Sequence, residues 1–131
     1  MSEMVENAIC LLSDTVVGTN LATTGNTTLY TVRTGKRCIL TEAWLVATEG
    51  DVGANLQCSI GISGSELDFV ASSSGDNLAA ANDAIQLKPI TSIAPQKNKS
   101  YAAAAVLVFD VIVAGNAVAG RVFLFGFEYD A

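Results

Sequence analysis

Two runs near the end of the chain are apolar on both faces when read with a period of two, and this constrains the fold more than any other feature. Side chains alternate across a strand, so Phe123, Phe125, Phe127 and Tyr129 share one face, opposite Val122, Leu124, Gly126 and Glu128. The preceding run repeats the pattern, with Leu107, Phe109, Val111 and Val113 against Val106, Val108, Asp110 and Ile112. A sheet with one face in water has no use for such strands. A second layer or another subunit must cover the outer face. The aromatic stripe is expected to be sandwich core, where Phe125→Ala would cost about 3–5 kcal/mol.

The rest of the chain agrees with an all-β reading. Gly, Ser, Thr and Asn punctuate it at short intervals, between runs rich in Val, Ile, Leu, Thr and aromatics. Strands are expected near Asp14–Thr19, Thr27–Arg33, Arg37–Thr48, Asn55–Ile62 and Glu66–Ala71. Short edge or corner strands follow at Ala84–Lys88 and Ile90–Ile93, each beside a proline. A final hairpin is expected from Ser100–Val113 through Gly115-Asn116 to Arg121–Tyr129. The stretch Ser72 to Asp83 reads as a surface loop with one short helical turn at Leu78–Ala81. The expected architecture is an antiparallel, jelly-roll-like β-sandwich of about eight strands with little helix. Residues 1–26 form an N-terminal arm or first strands, and residues 27–131 the sandwich domain.

Composition narrows function. The 131 residues fit one domain. Half are apolar and only 15% charged, with a mean hydropathy of +0.42. That excludes intrinsic disorder and exceeds what one small core requires, so some apolar surface is expected to meet another protein. Seven basic residues against thirteen acidic ones give a net charge of −6, without the basic footprint of a nucleic-acid binder. His is absent, which removes the commonest general base and a leading metal ligand.

No residue pattern specifies an active site. Gly61-Ile62-Ser63-Gly64 lacks the G-K-[ST] ending of a phosphate loop, and no G-x-S-x-G elbow occurs. Glu42, Asp110 and Glu128 either converge as carboxylates or each face water or a cation. Asp76, Asn77, Asn82 and Asp83 form a polar loop able to supply oxygen ligands, without EF-hand spacing. Cys10, Cys38 and Cys58 are an odd number with no CxxC. They read as reduced thiols from a cytosolic setting, and a Cys38–Cys58 bridge requires neighbouring strands. The N-terminus Met-Ser-Glu-Met-Val-Glu has no basic signal region, and Ala102 to Ala119 carries a central Asp110. The chain is expected to be soluble, without cofactor, metal, nucleic-acid or membrane partners, and not an enzyme.

The stretch Thr27-Thr28-Leu29-Tyr30-Thr31-Val32-Arg33-Thr34-Gly35-Lys36-Arg37-Cys38-Ile39-Leu40-Thr41 resembles the Y-T-V-P-x-G-K opening of small phage-encoded β-sandwich virion proteins. The closing Val122-Phe123-Leu124-Phe125-Gly126-Phe127-Glu128-Tyr129 is similar to their C-terminal strand. Arg33 stands where that pattern has Pro, and the 26 residues before Thr27 are an addition to it. The resemblance implies a jelly-roll sandwich that self-associates, often as a trimer, on a capsid, head fibre or tail. The expected function is therefore capsid decoration or cement, made in the host cytoplasm and bound to the major capsid protein in the virion. A capsid shell or head-fibre protein would use the same fold. A carbohydrate-binding module is the alternative from another class, with Trp44, Tyr30, Tyr101 and Tyr129 as its aromatic candidates. Met4, Val5, Ile9, Leu11 and Leu12 are candidates for a capsid-docking arm, or else for an ordinary first strand closing a sheet edge.

Overall fold

Apolar residues on both faces of the runs Val106–Val113 and Val122–Tyr129 require those strands to lie centrally, and they do. The computed structural model describes residues 9–13, 18–75, 77–90 and 100–131. Among them are ten strands: β1 (Cys10–Leu11), β2 (Gly18–Asn20), β3 (Gly25–Thr31), β4 (Lys36–Ala47), β5 (Gln57–Ile62), β6 (Ser65–Ser74), β7 (Ala84–Leu87), β8 (Ser100–Tyr101), β9 (Val106–Val113) and β10 (Ala119–Asp130). Two antiparallel sheets face each other. In the first, β1 and β2 lie end to end beside β10, β10 pairs with β4, and β7 and β8 lie end to end on the far side of β4. The second runs β3-β9-β5-β6.

Counting end-to-end pieces as one lane, each sheet has four lanes. The chain changes sheet after β2, β3, β4, β6, β8 and β9, and stays in one sheet only between β1 and β2, across the β5–β6 hairpin and between β7 and β8. This order is that of a jelly roll, the double-sheet arrangement of eight strands in two Greek keys. The N-terminal segment supplies the lane formed by β1 and β2, and β3 begins at Gly25, just ahead of the expected boundary at residue 27.

The core lies between the sheets. From the first sheet β4 contributes Cys38, Leu40, Ala43, Leu45 and Ala47, and β10 contributes Val122 and Leu124, all buried. Leu29, Cys58, Ile60, Leu107, Phe109 and Val111 face them from the second sheet and are equally buried. Inward positions on β4 are even before the middle of the strand and odd after it. A bulge causes the change. Phe125 pairs with Glu42 and Gly126 with Leu40, so Thr41 is an extra residue, and one extra residue reverses which parity faces inward. Opposite the bulge only glycine fits, because a Cβ on Gly126 would collide with the Ile39 carbonyl oxygen and lie 2.9 Å from Leu12.

Several expectations are corrected. The aromatic stripe of β10 is not core. Phe123, Phe125, Phe127 and Tyr129 are half-buried on the outer face, while Val122, Leu124, Gly126 and Glu128 point inward. Both faces are apolar, so alternation could not say which one meets the second sheet. Ser100–Val113 is not one strand, since Ala102–Ala105 turns between β8 and β9, with Ala104 at a φ of 69°. Nor do β9 and β10 form a hairpin, because they belong to opposite sheets. No helical turn forms at Leu78–Ala81, and Ile90 is exposed outside any strand. Residues 91–93 and Asp14–Val17 of the expected strands lie outside the described residues.

The placement of the two phenylalanines makes a measurable difference. Phe109→Ala is expected to cost about 3–5 kcal/mol, whereas Phe125→Ala should cost less than half as much. Urea unfolding midpoints of the two variants check this; equal losses would contradict the assignment of faces.

Candidate functional site

Three places concentrate chemistry: one inside the sandwich and one on each outer face. Inside is Glu128, with no exposed surface. A lone carboxylate there would be costly. It is met by three donors from the end of β3 and the crossover into β4: the Tyr30 hydroxyl donates to Oε2, the Arg33 backbone N–H to Oε2 at 3.1 Å, and Arg33 Nε to Oε1 at 2.5 Å. Burial pushes this carboxyl up, but the Tyr30 and Arg33 hydrogen bonds and the guanidinium charge outweigh it and hold it below its usual value. Burial, and then the bond to Glu128, push the Tyr30 hydroxyl up.

The outer face of the first sheet is aromatic. Across β4 and β10, Trp44 pairs with Phe123, Glu42 with Phe125, Ile39 with Phe127, and Arg37 with Tyr129. Leu11 of β1 pairs with Phe125 from the other side. Polar groups on this face are tied to its aromatics or edges. The Trp44 indole N–H donates to Glu42 at 3.0 Å, Arg37 Nε donates to Ser100 Oγ at 2.9 Å, and Ser100 Oγ lies 2.5 Å from the Tyr129 hydroxyl. Arg121, exposed at the end of the stripe, makes no ion pair among the described residues.

The outer face of the second sheet is acidic and aliphatic. Between Ile62↔Ser65 and Ile60↔Val70, β6 advances five residues while β5 advances two. The surplus folds over the sheet, so close that a Cβ on Gly61 would collide with the Ser65 carbonyl oxygen. Beside it opens a groove of about 640 Å³ lined by Gly64, Ser65, Glu66, Leu67, Asp68, Asp110 and Ile112. Glu66 accepts a hydrogen bond from Asn26 Nδ2 at 3.3 Å. Neither Glu66 nor Asp110 has a cationic partner among the described residues. Burial and then the nearby Glu66 charge push the Asp110 carboxyl up. Leu67 is 51% exposed, Val113 45% and Ile112 37%.

The acids considered in sequence therefore do not converge: Glu42, Asp110 and Glu128 sit on one outer face, the other outer face and the core. Asp83 caps its own loop, accepting from Ala79 N at 3.1 Å and Ala80 N at 2.9 Å; Asp76 lies outside the described residues. No cluster of three His, Cys, Asp or Glu suited to a metal occurs among the described residues. Of the arm residues, Met4 and Val5 lie outside the described residues, Ile9 is 64% exposed, Leu11 is half-buried, and Leu12 belongs to the core. Ser13 anchors this end, its hydroxyl donating to Val122 O at 3.2 Å and accepting from Leu124 N at 3.0 Å. The Glu66–Asp110 groove was not legible in sequence, because it depends on a bulge that no turn motif marks.

All three cysteines are free. Cys38 lies in the first sheet and Cys58 in the second, so they are not on neighbouring strands, and no bridge joins them. Burial, followed by the Glu128 charge, pushes the Cys38 thiol up to about 12, and burial with the Asp110 charge does the same for Cys58. Compared with known proteins, the chain matches no family model, no curated protein and no solved structure.

These environments predict opposite pH effects. The depressed Glu128 carboxyl stabilises the fold above the ordinary glutamate value near ~4.3, and this contribution is lost as pH falls through its lower folded value. Tyr30→Phe, which removes one hydrogen bond to a charged group, should cost about 1.5–3 kcal/mol at pH 7. Asp110, raised on folding, stabilises only when protonated, and that contribution is lost as pH rises through its folded value. Asp110→Asn should then raise the melting temperature at pH 7 and leave it unchanged at pH 2. Thermal melts of both variants across pH test the two signs. With a thiol-specific disulfide reagent at pH 8, half-buried Cys10 should react before unfolding, and Cys38 and Cys58 only with it.

Proposed function

We propose that this protein is a structural, self-associating component of a phage virion: a decoration or cement protein that binds the major capsid protein and stabilises the lattice. The observation that carries the reading is the aromatic outer face of the first sheet. Trp44, Phe123, Phe125 and Phe127 line a surface that the subunit's own second layer does not cover. Contiguous apolar surface of this kind marks protein contacts, and its burial contributes about 25 cal/mol per Å². The jelly-roll order accords with the virion-protein resemblance of Thr27–Thr41 and Val122–Tyr129, and the Thr34-Gly35 turn lies where that resemblance expects it, with Gly35 at a φ of 76°.

In this reading copies associate as a homotrimer through apolar burial, and the residues before Cys10 dock on the capsid by adding to a neighbouring sheet edge. Leu11 and Leu12 are engaged in the subunit's own sandwich, which leaves Met4, Val5 and Ile9 for docking. The carbohydrate-binding alternative finds less support. Tyr101 is 4% exposed, Tyr30 is engaged by Glu128, and no aromatic lines the acidic groove.

Light scattering across a concentration series should give the mass of a trimer. Trp44→Ser should shift the mass towards monomer while the far-ultraviolet spectrum stays that of a β protein. Mass spectrometry of purified virions of the encoding phage should find the protein. Its absence from virions, or a monomer at every concentration, would sink the reading.

A further inference from the structure

The two outer faces of the sandwich differ in character, and they complement each other better than either complements itself. The first sheet presents aromatic rings and, at their end, Arg121, exposed and without an ion-pair partner among the described residues. Its one acid among the described residues, Glu42, is engaged by the Trp44 indole. The second sheet presents Glu66 and Asp110 without a counter-cation, beside exposed Leu67, Ile112 and Val113. Two copies meeting through their second sheets would bring carboxylates onto carboxylates in a partly desolvated groove, where like charges repel. Two copies meeting through their first sheets would leave the acidic groove, with its aliphatic rim, unfilled. A contact between unlike faces satisfies both.

We propose that copies of this chain associate head to tail, the aromatic face of one seated on the acidic groove of the next, with Arg121 entering between Glu66 and Asp110. This rests on the self-association proposed above and specifies its geometry. The guanidinium suits the site, since it can bridge two carboxylates while its aliphatic stem lies against Leu67 and Ile112. A heterologous contact of this kind generates a ring where the rotation closes and a filament where it does not. A closed trimer is thus one natural product of the same interface.

Charge reversal tests the pairing, read as the association constant from sedimentation equilibrium of the full chain. Arg121→Glu lies on the surface and should leave the fold intact while weakening association about tenfold or more. Glu66→Arg should weaken it comparably, with its melting temperature showing that it folds. The double variant Arg121→Glu/Glu66→Arg should recover most of the loss, since each new Glu meets a new Arg on the next copy. An equimolar mixture of the two single variants should also associate more tightly than either alone. If the natural protein self-associates and the single reversals do not weaken it, or the double reversal does not recover it, head-to-tail pairing is wrong and self-association stands. A natural protein that stays monomeric overturns both.

Discussion

The carboxylate of Glu128 is the interaction on which the closed end of the sandwich depends. It belongs to β10 in one sheet, and its donors, Tyr30 and Arg33, come from the end of β3 in the other and from the crossover into β4. A charge with no exposed surface is tolerable only when its oxygens are satisfied, and removing one member of such a pair is far more damaging than never having had it. The clamp therefore fixes where the chain leaves one sheet and enters the other. Two contacts continue it outward: Lys36 pairs with Asp130 at 2.6 Å, and Ala131 N donates to Gly35 O at 3.1 Å. With this corner fixed, β4 and β10 run side by side along their whole length and carry the rest of the first sheet.

From that pairing the two surfaces follow. The bulge at Thr41 changes the inward parity of β4, so that small and aliphatic residues face the core along the entire strand and Ile39, Glu42, Trp44 and Val46 are left on the outside. Opposite them stands the phenylalanine stripe. On the second sheet a larger irregularity in β6 lays Glu66–Asp68 over the strand face and creates the acidic groove. Both surfaces are products of departures from regular pairing. Each departure carries apolar or charged groups to places where the isolated subunit leaves them partly unsatisfied, which is the physical basis for reading both as contact surfaces.

Much of the architecture was legible in the residues. The runs around Tyr30, Leu45, Ile60 and Leu124 were recognisable as strands from β-branched and aromatic content, and the Gly35 turn from its residue type. Isolated thiols at Cys38 and Cys58 followed from their apolar surroundings. The two outer surfaces were harder to read. Phe125 and Leu124 are both large and apolar, so period-two alternation placed them on opposite faces without saying which was inside. Asp110 and Glu66 are far apart in sequence and meet only because β5 lies between β9 and β6 and β6 bulges over it.

What the sequence by itself determined is the class of fold: β propensity, frequent turn residues and strands apolar on both faces leave a layered all-β sandwich as the economical solution. What only the tertiary structure decided is which face of each strand meets the second layer, and which sheet each strand joins. Those choices depend on contacts between residues distant in the chain: the Glu128 clamp, the Thr41 bulge and the folding of β6 over Gly61. Local propensity is read within a few residues, whereas inward and outward are properties of the whole packed molecule.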